Sequence, residues 1–308
     1  MTRELRTAVI LFLLTLLSMF WVGAQWSGVD PEHAPLSALL EGYRFALPLM
    51  AILLAHELGH YFAARIHGVD TSPPYFIPMP YALIGTFGAI IRMRGAIRLR
   101  NALFDIGAAG PLSGLVVALP VLVYGVATSQ IEPLRSDVTY FVEGRSLLYL
   151  ALLYGLKGPI PEGSDIMLTP TALAGWAGLL VTMINLVPVG QLDGGHVAYA
   201  LFGERQDRYS RWARRALLAI GLGISLGATA LALTRGAGES LSGPLLSGSH
   251  WLIWWVVLSA MGRMTGDQHP PTEPSALSRG RRVLAWITLG LFVLLFMPTW
   301  ISMNEAAP

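Results

Sequence analysis

Six stretches of this chain are apolar over roughly the 20 residues that a helix needs to cross about 30 Å of hydrocarbon: Thr7 to Ala24, Tyr43 to Ile66, Leu103 to Ala127, Leu168 to Val187, Ala213 to Leu233 and Val283 to Ile301. A seventh, around Leu245 to Met264, carries the run Trp251-Leu252-Ile253-Trp254-Trp255 but is diluted by Ser and Gly at its start. Backbone amides in lipid have no water to bond, so stretches of this length are expected as helices that satisfy themselves. With 54% hydrophobic and 13% charged residues, the composition lies outside the range of a soluble globular domain. The chain therefore reads as an all-α polytopic membrane protein of about six to seven transmembrane helices, in a single domain over residues 1–308. Ser146 to Leu156 is too short to span and is expected as an interfacial helix.

The first stretch follows Arg3 and Arg6 and ends Val22-Gly23-Ala24, which also resembles a secretory signal. Its apolar run is long for a signal, favouring an uncleaved helix, and either reading starts inside. Seven spans from there put Arg3, Arg6, Arg65, Arg92, Arg94, Arg98, Arg100, Arg205, Arg208, Arg211, Arg214, Arg215, Arg263, Arg279, Arg281 and Arg282 on the inner side. These are 16 of the 21 Lys+Arg, leaving Arg44, Arg135, Arg145, Lys157 and Arg235 outside. That bias is the positive-inside pattern, and it argues against nucleic-acid binding as the use of the basic residues.

Within the second stretch stands Ala55-His56-Glu57-Leu58-Gly59-His60. On a helix, His56 and His60 lie one turn apart on one face, where both imidazoles reach one Zn²⁺, and Glu57 stands beside it as general base. Three ionisable groups in five residues of a membrane helix are costly unless they have such a use. The chain has no cysteine, so a zinc site must be built from His, Asp and Glu. A hydrolytic zinc needs a third protein ligand and an open position. Asp193 is the candidate, in Asn185-Leu186-Val187-Pro188-Val189-Gly190-Gln191-Leu192-Asp193-Gly194-Gly195-His196, where Pro188 and Gly190 interrupt the fourth span at the depth expected for the histidines. A helix-capping Asp in a Gly-rich turn is the plainer reading of the same residue.

At these two motifs the chain resembles the site-2 protease family of intramembrane zinc metalloproteases (peptidase family M50). Gly85-Thr86-Phe87-Gly88-Ala89, Phe104-Asp105-Ile106-Gly107-Ala108-Ala109-Gly110-Pro111 and His269-Pro270-Pro271-Thr272 look like its PDZ-less cyanobacterial and plastid-type branch. The resemblance implies one zinc per chain on His56, His60 and Asp193, Glu57 as base, and a substrate contact at Asn185. It also implies cleavage in or near transmembrane segments of membrane-protein substrates in the bilayer, expected here in a bacterial cytoplasmic membrane with the active site toward the cytosol. The front departs from the plastid members, with no transit peptide or long N-terminal extension expected.

Between the second and third helices, the Pro-rich loop from Gly68 to Arg100 turns into Ile84 to Arg94, whose alternating β-branched character suits a small hairpin on the cytosolic side. Gly85, Thr86, Phe87 and Gly88 are candidates for binding an extended substrate along a strand edge; a structural cover is the compatible alternative. Asp105 is expected to cap a helix or bond a neighbour. His196 is either a second-layer donor to the metal site or an interfacial residue, and His33, His67, His250 and His269 are expected at interfaces. The small residues Gly107, Ala108, Ala109, Gly110, Ser113 and Gly114, with Gly175 and Gly178, indicate close helix packing. The CAAX-protease type of zincin would need a later intramembrane Glu, which the chain lacks. A metal or proton transporter using His56, His60 and Asp193 is the non-enzyme alternative.

Overall fold

The computed structural model describes residues 2–30, 32–95, 97–135, 140–234, 241–265, 272–273 and 275–304. Arg235 and the segment His269-Pro270-Pro271 lie outside the described residues. The helices are α1 (Arg3–Trp26), α2 (Pro35–Ile66), α3 (Arg100–Thr128), α4 (Leu147–Lys157), α5 (Pro170–Asn185), α6 (Asp193–Phe202), α7 (Arg205–Thr234), α8 (Ser242–Leu246), α9 (Ser249–Thr265) and α10 (Arg279–Leu295). Short strands β1 (Tyr75–Pro78), β2 (Thr86–Ile90), β3 (Gln130–Pro133), β4 (Tyr140–Glu143), β5 (Ser164–Met167) and β6 (Ile301–Asn304) pair antiparallel as β1 with β2, β3 with β5 and β4 with β6.

The protein is a polytopic helical membrane protein. Among the described residues, α1, α2, α3, α7 and the run Gly243–Met264 are long and apolar enough to cross a bilayer. The expected fourth and last spans are shorter, 16 residues in α5 and 17 in α10. Each stops for a local reason. At Pro188 the chain lacks an amide to carry α5 further, and after Leu295 it leaves the helix before Pro298 and runs into β6. The short helix expected at Ser146 to Leu156 is α4, with the Ser146 hydroxyl accepting from the Tyr149 amide as its N-cap.

Helix packing in lipid gains little from hydrophobicity and depends on close approach, and glycines set the crossings here. A Cβ at Gly42 would lie 2.3 Å from Phe20 O, one at Gly59 2.5 Å from Ala109 O, one at Gly175 2.6 Å from Leu122 Cα, and one at Gly125 2.4 Å from Ala172 Cα. These contacts fasten α1 to α2, α2 to α3, and α3 to α5. Ser113 adds a hydrogen bond from its hydroxyl to Ala55 O at 2.8 Å.

Contacts between distant segments sort onto two ends. At one, Arg281 pairs with Asp105 through both oxygens (2.8 and 2.7 Å), His67 Nε2 lies 2.8 Å from the same carboxylate, and Arg94 pairs with Glu4. Asp105 thus bonds neighbouring helices, joining the ends of α2, α3 and α10. At the other end β6 pairs with β4, and Phe141 packs edge-on to Trp26 at 5.8 Å. Nearby, Arg145 pairs with Asp165 at 2.5 Å, and Tyr149 donates to buried Glu143 at 2.7 Å. Burial pushes the Glu143 carboxyl above its ordinary range, against the pull of Tyr149 and Arg145.

The hairpin expected between the second and third helices is β1–β2, and it lies along α1. Only its base lies beside the start of α1, where Arg94 meets Glu4; its turn runs back along the helix to the opposite end. Phe76 packs against Phe12 (5.7 Å), Ser18 donates to Gly85 O (2.7 Å), and Trp26 Nε1 donates to Leu83 O (3.1 Å). The lengths match, since 22 residues of helix and 11 of strand each cover roughly 35 Å. Gly85 is required there: its φ is +78°, and a Cβ would fall 2.8 Å from Met19 Cα. Irregular backbone at this depth is tolerated because it lies against protein.

Candidate metal centre

α2, α3 and α6 build one site. His56 and His60 project from the same face of α2, with ring centroids 4.9 Å apart. Asp193 arrives from the loop after α5, as the first residue of α6. It does not cap that helix, whose N-cap Leu192 makes no side-chain bond. Instead its Oδ2 lies 3.2 Å from His56 Nε2 and 3.2 Å from His60 Nε2, and the two Nε2 atoms are themselves 3.2 Å apart. Tetrahedral Zn²⁺ with bonds of about 2.0–2.1 Å places its ligand atoms about 3.3 Å apart. Three donors at nearly this spacing, two imidazoles and one carboxylate, fit three corners of such a site and leave the fourth free. Among the described residues, no other group of His, Asp and Glu converges in this way.

The protonation pattern also suits a metal. His60 Nδ1 lies 2.7 Å from Ile106 O, and because a carbonyl only accepts, Nδ1 carries the proton and Nε2 presents its lone pair to the centre. His56 is 4% exposed and His60 9%, so both rings are held out of bulk solvent. Glu57 stands within electrostatic reach of both histidines and of Asp193. Its carboxylate makes no hydrogen bond among the described residues and is free to handle a proton.

α3 shapes the floor. A Cβ at Gly110 would lie 2.0 Å from His60 Nε2, one at Gly114 3.2 Å from His56 Cβ, and one at Gly107 2.8 Å from His196 Cβ and 3.3 Å from Asp193 O. The run read in the sequence as helix packing thus seats all three residues of the donor triangle. The Ile106 carbonyl and Gly110 are the site elements that sequence reasoning missed. Their signal was the Gly/Ala run itself, which does not say what packs on it.

The loop from Leu186 to Leu192 positions Asp193. Gly194 and Gly195 allow α6 to start against it: a Cβ at Gly194 would lie 2.0 Å from Leu186 O, and one at Gly195 2.3 Å from Gly190 O. Gln206 Nε2 donates to Pro188 O (2.9 Å), and the Gly190 amide donates to Ser210 Oγ (3.0 Å), so α7 fixes the loop from behind. Asn185 ends α5, half-buried and without a side-chain hydrogen bond among the described residues.

Of the hairpin candidates, Gly85 is spent on α1. Thr86 is 2% exposed, its hydroxyl donating to Ile77 O and accepting from the Gly88 amide. Phe87 and Gly88 form a bulge, the register jumping from Phe76↔Ala89 to Pro78↔Thr86; Phe87 is 68% exposed and Gly88 has φ +89°. The packing against α1 is carried mainly by β1, which leaves β2 as the outer strand. The histidines outside the site are engaged elsewhere: His33 with Asp30, and His250 with Pro298 O.

If the triangle holds zinc, Asp193→Ala should lower bound zinc at least tenfold, because only two imidazole donors would remain, whereas Asp105→Ala should leave it unchanged. Metal analysis of the two purified proteins decides this; equal retention would point to another third ligand.

The family model described as Peptidase family M50 matches residues 44–228, which takes in both motifs. The protein of Oryza sativa subsp. indica named probable zinc metalloprotease EGY2, chloroplastic, is 37% identical over 192 residues, 62% of this chain and 34% of that protein. Probable zinc metalloprotease EGY1, chloroplastic, of Arabidopsis thaliana is 31% identical over 327 residues, 97% of this chain and 54% of that protein. Probable zinc metallopeptidase EGY3, chloroplastic, of Arabidopsis thaliana is 29% identical over 260 residues, 80% of this chain and 41% of that protein. The chain thus spans about a third to a half of the length of these relatives.

Proposed function

Since this chain belongs to peptidase family M50, we propose that it is a zinc endopeptidase hydrolysing peptide bonds in or near transmembrane segments of other membrane proteins. The observation that carries this reading is the triangle of His56 Nε2, His60 Nε2 and Asp193 Oδ2, each side 3.2 Å, with an unbonded Glu57 beside it inside a bundle of apolar helices. His56, His60 and Asp193 hold the metal. Zinc, when bound, supplies Lewis-acid polarisation of the scissile carbonyl and acidifies water. Glu57 accepts the proton of the attacking water on its carboxylate and delivers it to the leaving amine. The Ile106 carbonyl keeps the His60 ring in the ligating tautomer, and the α3 glycines hold both rings against rotation.

A substrate helix has its amides bonded internally and must unwind before its carbonyl can be attacked. The outer strand β2 offers backbone partners to such a segment, and the unbonded Asn185 amide a side-chain hydrogen bond. Within this reading residues 1–308 act as a single membrane-embedded domain. The membrane is taken to be a bacterial cytoplasmic one, and the arginine distribution supports an orientation with the Asp105–Arg281 end inward.

Phe87→Pro and Asn185→Ala should each slow cleavage several-fold without removing zinc, the first by deleting a strand donor and the second a polar contact. The deficit should shrink for a substrate already softened with Gly or Pro near the scissile bond, since part of its unwinding cost is gone. Wild-type rates on both substrates in both variants would leave the hairpin as a cover only.

A further inference from the structure

The first three turns of α7 carry two unlike faces. One is buried, with Gln206 at 1% and Ser210 at 4% exposure, and it holds the Pro188–Gly190 loop. At 100° per residue, Arg205, Arg208, Arg211, Trp212 and Arg215 all fall on the opposite half of the helix. All five are exposed, and Arg215 lies 5.9 Å over the ring of Trp212. Elsewhere arginines find acids, as Arg94, Arg145 and Arg281 do. Arg205, Arg208, Arg211 and Arg215 make no ion pair among the described residues.

Past Arg215 the helix has no charge through Thr234, and these 19 residues cover about 28 Å, one hydrocarbon thickness. The arginine face therefore stands where α7 leaves the lipid, at the level of headgroup phosphates, with Trp212 in the position an interfacial aromatic takes. Guanidinium forks match phosphate oxygens in pairs, and clustered like charges without counter-ions gain most from such anions.

We propose that this face binds the headgroups of anionic phospholipids, and that the bound lipid steadies the metal site. The path is contiguous: headgroup on Arg208, Arg211 and Arg215, then α7, then Gln206 and Ser210 on Pro188 and Gly190, and from there the Gly194–Gly195 turn that presents Asp193. The coupling half rests on the metal centre proposed above; the binding half does not.

The test uses the zinc-loaded full chain in nanodiscs of phosphatidylcholine with increasing phosphatidylglycerol. Lipid retained on the protein is counted by native mass spectrometry, and zinc release to a chelator is timed. Wild type should retain phosphatidylglycerol over phosphatidylcholine and release zinc several-fold more slowly in its presence. Arg208→Gln/Arg211→Gln/Arg215→Gln should lose at least about tenfold of that preference, taking roughly fivefold per basic residue at a membrane surface, and should lose the slowing. The matching triple Lys variant, which keeps the charge, should retain both. In Gln206→Ala the lipid should stay while the slowing of zinc release is lost.

Equal retention of the two lipids by wild type, or undiminished preference in the triple Gln variant, would overturn the binding site and leave the arginines as orientation signals. Inorganic phosphate reproducing the effect in pure phosphatidylcholine would overturn the lipid as its source. Bound phosphatidylglycerol without slower zinc release in wild type would overturn the coupling. None of these readouts requires proteolysis, so their failure leaves the peptidase assignment to its own test.

Discussion

Glu57→Gln is expected to abolish cleavage of a transmembrane substrate while zinc stays near one per chain. Metal binding and proton transfer fall to different residues. The three converging donor atoms that could hold a metal belong to His56, His60 and Asp193, and Glu57 is not among them. Gln keeps the shape and removes the group that takes up a proton, and loss of a general base costs roughly 10²–10⁴-fold in rate. Cleavage assays on the metal-replete variant, with zinc counted in the same sample, check this. Retained turnover would remove Glu57 from the mechanism, and lost zinc would make it a ligand.

Gly110→Ala should be nearly as damaging, although the change is one methyl group far from Glu57 in sequence. The added carbon would fall 2.0 Å from His60 Nε2, and the ring has little room to yield because Ile106 O holds its Nδ1 on the other side. Relieving the overlap means moving the ligand nitrogen or parting α2 from α3, where Gly59 already lies against Ala109 O. Overpacking of this kind costs about 1–3 kcal/mol, and here it falls on a proposed ligand, so zinc affinity should drop by about fivefold or more. Gly290→Ala is the control: that glycine is also helical, but nothing lies within 4 Å of its Cβ position, and the substitution should be neutral to stabilising. Zinc titration of both variants decides it; wild-type affinity in Gly110→Ala would mean that the ring is not fixed as described.

The candidate site was legible because its residues are local or rare in their setting. His56, Glu57 and His60 sit one helical turn apart in an apolar stretch, and Asp193 follows a Pro/Gly break at matching depth; the structure brings the four together. The helices were legible from apolar length, with ends displaced where local residues decide, as at Pro188 and Pro298. The course of the hairpin was not. Its alternating pattern marked strands, but only the contacts of Gly85, Leu83 and Phe76 with α1 show that it runs back along a helix. Nor did the Gly107–Gly114 run declare its use, because a small residue records only that something comes close. Gln206 and Ser210 were invisible for a related reason: their partners are backbone atoms, which leave no pattern in a sequence.

The most direct measurement is cleavage of a transmembrane peptide by the purified, zinc-loaded chain in lipid, with fragments identified by mass spectrometry before chelation, after chelation and after zinc is restored. Scission is expected within or at the edge of the apolar segment, lost on chelation and recovered with zinc. An intact peptide under zinc-replete conditions, or the same fragments in chelated protein, would contradict the peptidase assignment.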